Sequence, residues 1–152
     1  MYKDTITLFN RHEGEDGDTW YPSILHNVDL NTDRAAILSK YGAESADGAI
    51  LHIRYKQESD KKIVENKLWK PPKEWEAEAD KAKTITFTPG DRFDFFWLGD
   101  WGNEDPVHDS SYVGTTSTGF YNHMNKNHDF VFAITSVGGP YSVIPHFEIL
   151  GK

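Results

Sequence analysis

The sequence predicts a mainly β protein: a β-barrel or sandwich of about seven or eight short strands, with one or two short helices in long loops. Three observations carry this expectation. Apolar and polar residues alternate with period two in several short stretches. Turn signals built on Gly, Pro, Asn and Asp separate those stretches. Aromatic residues make up 14% of a chain that is only 38% hydrophobic, and each buried ring removes about 150–250 Å² from water, so a modest apolar count fills a core. The 152 residues fit one β domain spanning 1–152.

Residues 5–10 (TITLFN) read as a strand with Ile6 and Leu8 on one face. Residues 12–18 form a polar turn. Residues 20–30 (WYPSILHNVDL) are the next strand, placing Ile24, His26, Val28 and Leu30 together. Pro22 has no N–H to give and belongs at an edge or at the strand's start. Residues 31–42 have two readings: Thr32 caps a short helix that Gly42 ends, or AAIL is a short strand entering a turn. The β character of the neighbouring segments favours strand or irregular structure. Residues 49–55 (AILHIRY) alternate, with Leu51, Ile53 and Tyr55 facing one way.

Residues 57–83 change character. They are rich in Lys and Glu, and Trp69 and Trp75 flank two prolines. They read as a surface excursion, partly helical, which the two tryptophans pack back onto the body. Residues 83–88 form a strand and 89–91 a turn. In residues 92–98, Phe93, Phe95 and Trp97 alternate with Asp94, Phe96 and Leu98; two apolar faces imply a strand covered on both sides. Residues 118–127 suit a short helix, with Phe120 and Met124 at the i, i+4 spacing of one face. Residues 129–137 form a strand, 138–140 (GGP) a turn, and 141–150 a closing strand in which Pro145 marks an edge or bulge.

Charge and composition exclude several functions. Net charge is −8, and the most basic stretch, residues 54–83, mixes nine basic with seven acidic groups. Sequence-independent nucleic-acid binding needs clustered cations, so none is expected. There are no cysteines, which removes disulfides, thiolate metal sites and thiol nucleophiles. The opening MYKDTITLFN lacks the basic-then-apolar pattern of a signal peptide. No apolar run approaches the ~20 residues that span a bilayer, so no membrane partner is expected.

Reactive constellations are equally sparse. Asp100, Glu104 and Asp105 are the residue types of a glycosidase pair, which needs carboxylates about 5–10 Å apart, but beside Gly and Pro they are ordinary turn formers. His108 with Asp109, His123, and His128 with Asp129 have ligand chemistry for zinc or iron, without HExxH or a paired-His motif after Gly90. Glu13, Glu15, Asp16 and Asp18 resemble a calcium loop in composition only: counted from Asp16, the fifth position is Trp20 and the twelfth Asn27. No phosphate-binding loop or nucleophile elbow is present. The expectation is no enzyme, no metal and no cofactor.

Five segments in order, MYKDTITLFNR, TWYPSILHNVDL, ADGAILHIRY, TITFTPGDRFDFFWLGD and PHFEILGK, resemble the small head–tail connector, head-closure and minor-capsid proteins of tailed bacteriophages and prophages. The chain departs from them in its longer WKPPKEWEAEADK excursion and its GFYNHMNKNHDF segment. The resemblance implies a small β-barrel with long loops, a homo-oligomeric ring docked to other phage structural proteins, and a virion-associated protein made in the bacterial cytoplasm. Trp69, Trp75, Trp97 and Trp101 are the candidate interface anchors, because tryptophan is enriched at binding hot spots. A small-ligand or carbohydrate-binding β domain, using the aromatic and acidic surface around residues 97–105, is the alternative.

Overall fold

The computed structural model describes residues 2–152 and is mainly β, as the alternation predicts. Its strands are β1 (Asp4–Gly14), β2 (Gly17–Asn31), β3 (Ala49–Arg54), β4 (Lys56–Glu58), β5 (Lys61–Val64), β6 (Lys67–Trp69), β7 (Thr84–Ile85), β8 (Phe95–Leu98), β9 (Val107–His108), β10 (Val131–Tyr141) and β11 (His146–Gly151). Three short helices join them: α1 (Arg34–Tyr41), α2 (Pro72–Glu76) and α3 (Phe120–Asn127).

The larger sheet closes on itself. In the order β1, β8, β10, β11, β3, β2, each strand is antiparallel to the next, and β2 pairs back with β1. The result is a small barrel, and closure removes the exposed strand edges that an open sheet carries. β9 adds to β2 alone.

The alternation in β1 and β8 sorts side chains between two cores. Ile6, Leu8 and Phe96 point inward with Leu51, Ile53, Phe147 and Ile149. Phe9 and Phe95 point outward and are covered by Trp20 and by Phe120 and Met124 of α3. The Phe93–Leu98 stretch is therefore covered on both faces, and α3 presents the i, i+4 pair its spacing predicts.

The four-stranded sheet, β4-β5-β6-β7, is built from the lysine-rich segment. Val64 and Ile85, with Phe87 just beyond, join the barrel core, and Trp69 packs against it. Trp75 on α2 is 1% exposed and meets Tyr21 edge-on at 6.0 Å. This stretch is thus a second layer with apolar contacts of its own.

Three local expectations are corrected. Residues 34–41 form helix α1. Asp33 is its N-cap, accepting from the Ala35 N–H, and Gly42 ends it at φ 93°; a left-handed terminator there favours glycine. In β2 a bulge separates Leu25 from Val28 opposite Ile6 and Asp4, with Asn27 at φ 56°. The inserted residue breaks the Ile24–His26–Val28 face and turns Leu25 and Val28 into the core. Finally, Gly138–Pro140 lies inside β10, and the chain reverses at residues 142–145, after which β11 starts at His146.

Candidate docking surface

That reversal creates the most conspicuous surface feature. The β10–β11 hairpin ends in Tyr141-Ser142-Val143-Ile144-Pro145, where Val143 is 96% exposed, Ile144 66% and Tyr141 46%. Single exposed apolar residues are normal on any surface, whereas three within one turn are informative. Other large exposed apolar side chains, Val113 and Phe130, stand apart in other loops.

The turn is held from several sides. Tyr55, at the end of β3, donates its hydroxyl to the Tyr141 carbonyl at 2.8 Å, and its backbone N–H goes to the Pro145 carbonyl at 3.2 Å. His146 donates its Nδ1–H to the Ile144 carbonyl at 2.6 Å, because a carbonyl only accepts. The Tyr141 ring lies on the His146 ring at 5.0 Å. Gly138 makes room for this fold-over: a Cβ there would stand 2.6 Å from the Tyr141 hydroxyl.

Beside the tip is an open cleft of about 610 Å³ between the barrel and the second sheet. Beneath it lie the core residues Leu25, Val28, Ile53, Tyr55 and Val64, none more than 6% exposed, and half-buried Ile63 stands at its wall. Its rim carries His26, Arg54, Lys56 and Glu65. The Arg54 guanidinium lies 3.8 Å over the Tyr2 ring. Tyr55 belongs to both features, bracing the tip and walling the cleft.

The predicted anchors are distributed differently. Trp75 is buried, so its ring serves the fold and is withdrawn from any surface. Trp69 is half-buried against Phe147, with ring centroids 5.1 Å apart. Trp97 and Trp101 meet edge-on at 6.3 Å and 89°. Trp97 also packs on His128 and Trp101 on Phe9 and Phe120, and both rings stay partly exposed.

The acidic loop after β8 is structural in its contacts. Asp100 accepts from the Gly102 N–H at 2.8 Å, closing a turn. Glu104 accepts from the Ile24 N–H at 2.8 Å and lies 3.4 Å from Lys67. The buried Lys67 ammonium also donates to the Pro22 carbonyl at 3.0 Å and to Ser23 Oγ at 2.7 Å. Burial holds its pKa below the ordinary lysine range, against the pull of Glu104. Asp109 Oδ1 accepts from Trp20 Nε1 at 3.0 Å and from the Phe120 N–H at 2.8 Å, fixing the start of α3. Among the described residues, no group of three or more His, Asp or Glu side chains gathers in a geometry that holds a metal ion, and no helix is long and apolar enough to cross a membrane.

Sequence reasoning missed the hairpin tip because its period-two pattern reads as strand. The Gly-Gly-Pro run, the stronger turn signal, lies inside β10, and Pro145 is the turn former within the reversal itself.

Comparison with protein families matches the whole chain, residues 1–152, to a family of unknown function, DUF6751, and the chain belongs to it. No curated protein and no solved structure matches.

Proposed function

We propose that this protein is a non-enzymatic structural component of a tailed-bacteriophage or prophage virion, at the head–tail junction or in the tail. It acts by self-association and by docking to neighbouring virion proteins. The observation that carries this reading is the braced apolar tip, Val143 and Ile144 held in water by hydrogen bonds from Tyr55 and His146. Fully burying a Val or Ile side chain contributes about 1.5–3 kcal/mol. A turn already fixed in shape loses little entropy on contact.

Assembly of this kind asks for no reacting groups, and the acidic residues best placed for chemistry are engaged in turns and ion pairs. A net charge of −8 suits a protein near packaged DNA that must not adhere to it, because like charges repel. The ordered resemblance of five segments to phage connector and minor-capsid proteins points the same way. The protein is then made in the bacterial cytoplasm and carried in the particle, with other phage structural proteins as its neighbours.

Mass spectrometry of purified particles from a host encoding this chain tests the reading. The protein is expected in the particles, and a Val143→Asp, Ile144→Asp double variant is expected to give heads and tails that fail to join, seen by electron microscopy. Absence from the particles, with full infectivity after deletion of the gene, contradicts it.

A further inference from the structure

We infer that the open recess beside Phe130, between the end of α3 and the start of β10, binds the ring of a neutral sugar. The site is separate from the hairpin tip at residues 141–145 and does not depend on assembly. Phe130 is 52% exposed, and its side chain joins neither core. Its backbone is held at φ 61°, a left-handed conformation that bulky side chains rarely adopt. The other non-glycine residues of this kind have local reasons. Ser59 and Glu65 sit in the two-residue turns between β4 and β5 and between β5 and β6, Asn27 sits in the β2 bulge, and Tyr2 lies near the start of the chain. The Phe130 carbonyl accepts from the Leu98 N–H at 3.1 Å, so the ladder to β8 fixes the residue while its ring faces water. Backbone strain of this sort collects at ligand sites.

The groups around the ring select the ligand. The recess has a volume of about 530 Å³, and Thr32, Asn125, His128 and Asp129 line it with Phe130. Nearby polar groups of α3 bond within the chain, Asn122 to Thr118 and Asn127 to the His123 carbonyl. Among the described residues, the side chains of Thr32, Asn125, His128 and Asp129 have no hydrogen-bond or ion-pair partner. A carboxylate accepts, while a hydroxyl and an amide both donate and accept, so the set answers sugar hydroxyls, which do both. The Phe130 face takes the C–H side of the sugar ring, and the Trp97 ring steadies His128 from behind at 4.9 Å. No lysine or arginine lines this recess, and the chain carries −8, which disfavours a phosphate or other anion. Asn125 also lines a neighbouring recess of about 400 Å³ with Thr115, Thr116 and Asn122. Its one cation, Lys126, is bonded to the Thr116 carbonyl. A short oligosaccharide covers both recesses.

Saturation-transfer NMR on the full-length protein tests the site. Maltotriose, cellotriose, chitotriose and mannotriose are the probes, with adenosine monophosphate as an anionic, aromatic control. The expected result is transfer to the ring C–H protons of at least one trisaccharide, and none to the control. Phe130→Ala is expected to weaken that binding about tenfold, the loss of one stacked ring, and Phe130→Trp to keep it. Phe130→Gly accepts φ 61° without strain, so its binding is expected to fall while its thermal stability stays at or above that of wild type. That pairing separates recognition from folding. Asn125→Ala, on the exposed face of α3, is expected to weaken binding several-fold and decides the matter should the Phe130 variants fold poorly. Absence of transfer to every trisaccharide overturns the inference. So does equal binding by wild type and Phe130→Ala, or by wild type and Asn125→Ala. Transfer to adenosine monophosphate alone overturns it too, in favour of a surface for anionic aromatic ligands.

Discussion

Asn10 and Asp94 lock the rim of the barrel together: Asn10 Nδ2 donates to Asp94 Oδ2 at 2.9 Å, although 84 residues separate them. The Asp94 carboxylate also accepts from the Thr88 N–H at 2.9 Å and the Arg11 N–H at 2.8 Å. Asn10 in turn donates to the Thr86 carbonyl at 2.7 Å. One buried acid thus ties β1, the segment leading out of β7, and the start of β8.

The balance at Asp94 has a pH signature. Burial pushes its carboxyl up to about 7, against N–H donors that favour the charged form. The unfolded group titrates near 3.8, so between these values the native state holds the extra proton. Its contribution to stability is complete below the unfolded value and is lost as pH rises towards 7. In Asp94→Asn, an amide NH₂ faces a backbone or side-chain donor, with an expected loss of about 1–3 kcal/mol. Urea unfolding of both proteins from pH 5 to 8 checks this. The gap between them is expected to narrow as pH rises, and a gap that widens contradicts the assignment.

Trp75 tests whether the second sheet shares the barrel's cooperative unit. Trp75→Ala opens a cavity beside Tyr21 and is expected to cost about 3–5 kcal/mol. Trp75→Phe is expected to cost much less, because the buried indole N–H has no hydrogen-bond partner to lose. Thermal unfolding by calorimetry separates the two. A Trp75→Ala protein with unchanged stability means that the layer adds nothing to the fold.

Lys67 should behave as a structural cation. Lys67→Met keeps the apolar stem and removes the ammonium, leaving Ser23, the Pro22 carbonyl and Glu104 without it. The expected loss is about 1–3 kcal/mol. Faster amide exchange at Ile24 is also expected, since its N–H depends on Glu104. Unchanged exchange at Ile24 contradicts the link.

Much of this architecture is legible in the residues alone, and the failures have physical causes. Phe95 and Phe96 announce a strand covered on both faces, because adjacent large rings in a period-two element must point opposite ways. Phe120 and Met124 mark their helix. Residues 34–41 mislead because only Ile37 is buried in that helix; without an apolar stripe, the caps at Asp33 and Gly42 carry the signal. The bulge at Asn27 adds one residue to β2, and no periodicity announces an insertion. β4 to β6 are short and polar, and their stability comes from Val64 and Trp69 packing on a distant barrel, a tertiary effect that local pattern does not encode. Residue type marks the four tryptophans, of which Trp75 is buried, whereas the exposure of Val143 and Ile144 follows from where the chain reverses.

The central claim is that the hairpin tip mediates assembly. Sedimentation velocity over a wide concentration range, on wild type and on Val143→Asp, Ile144→Asp, tests it most directly. Wild type is expected to move from the 17.4 kDa monomer to heavier species as concentration rises, while the double variant stays monomeric with an unchanged circular dichroism spectrum. Identical sedimentation of the two proteins at every concentration would contradict it.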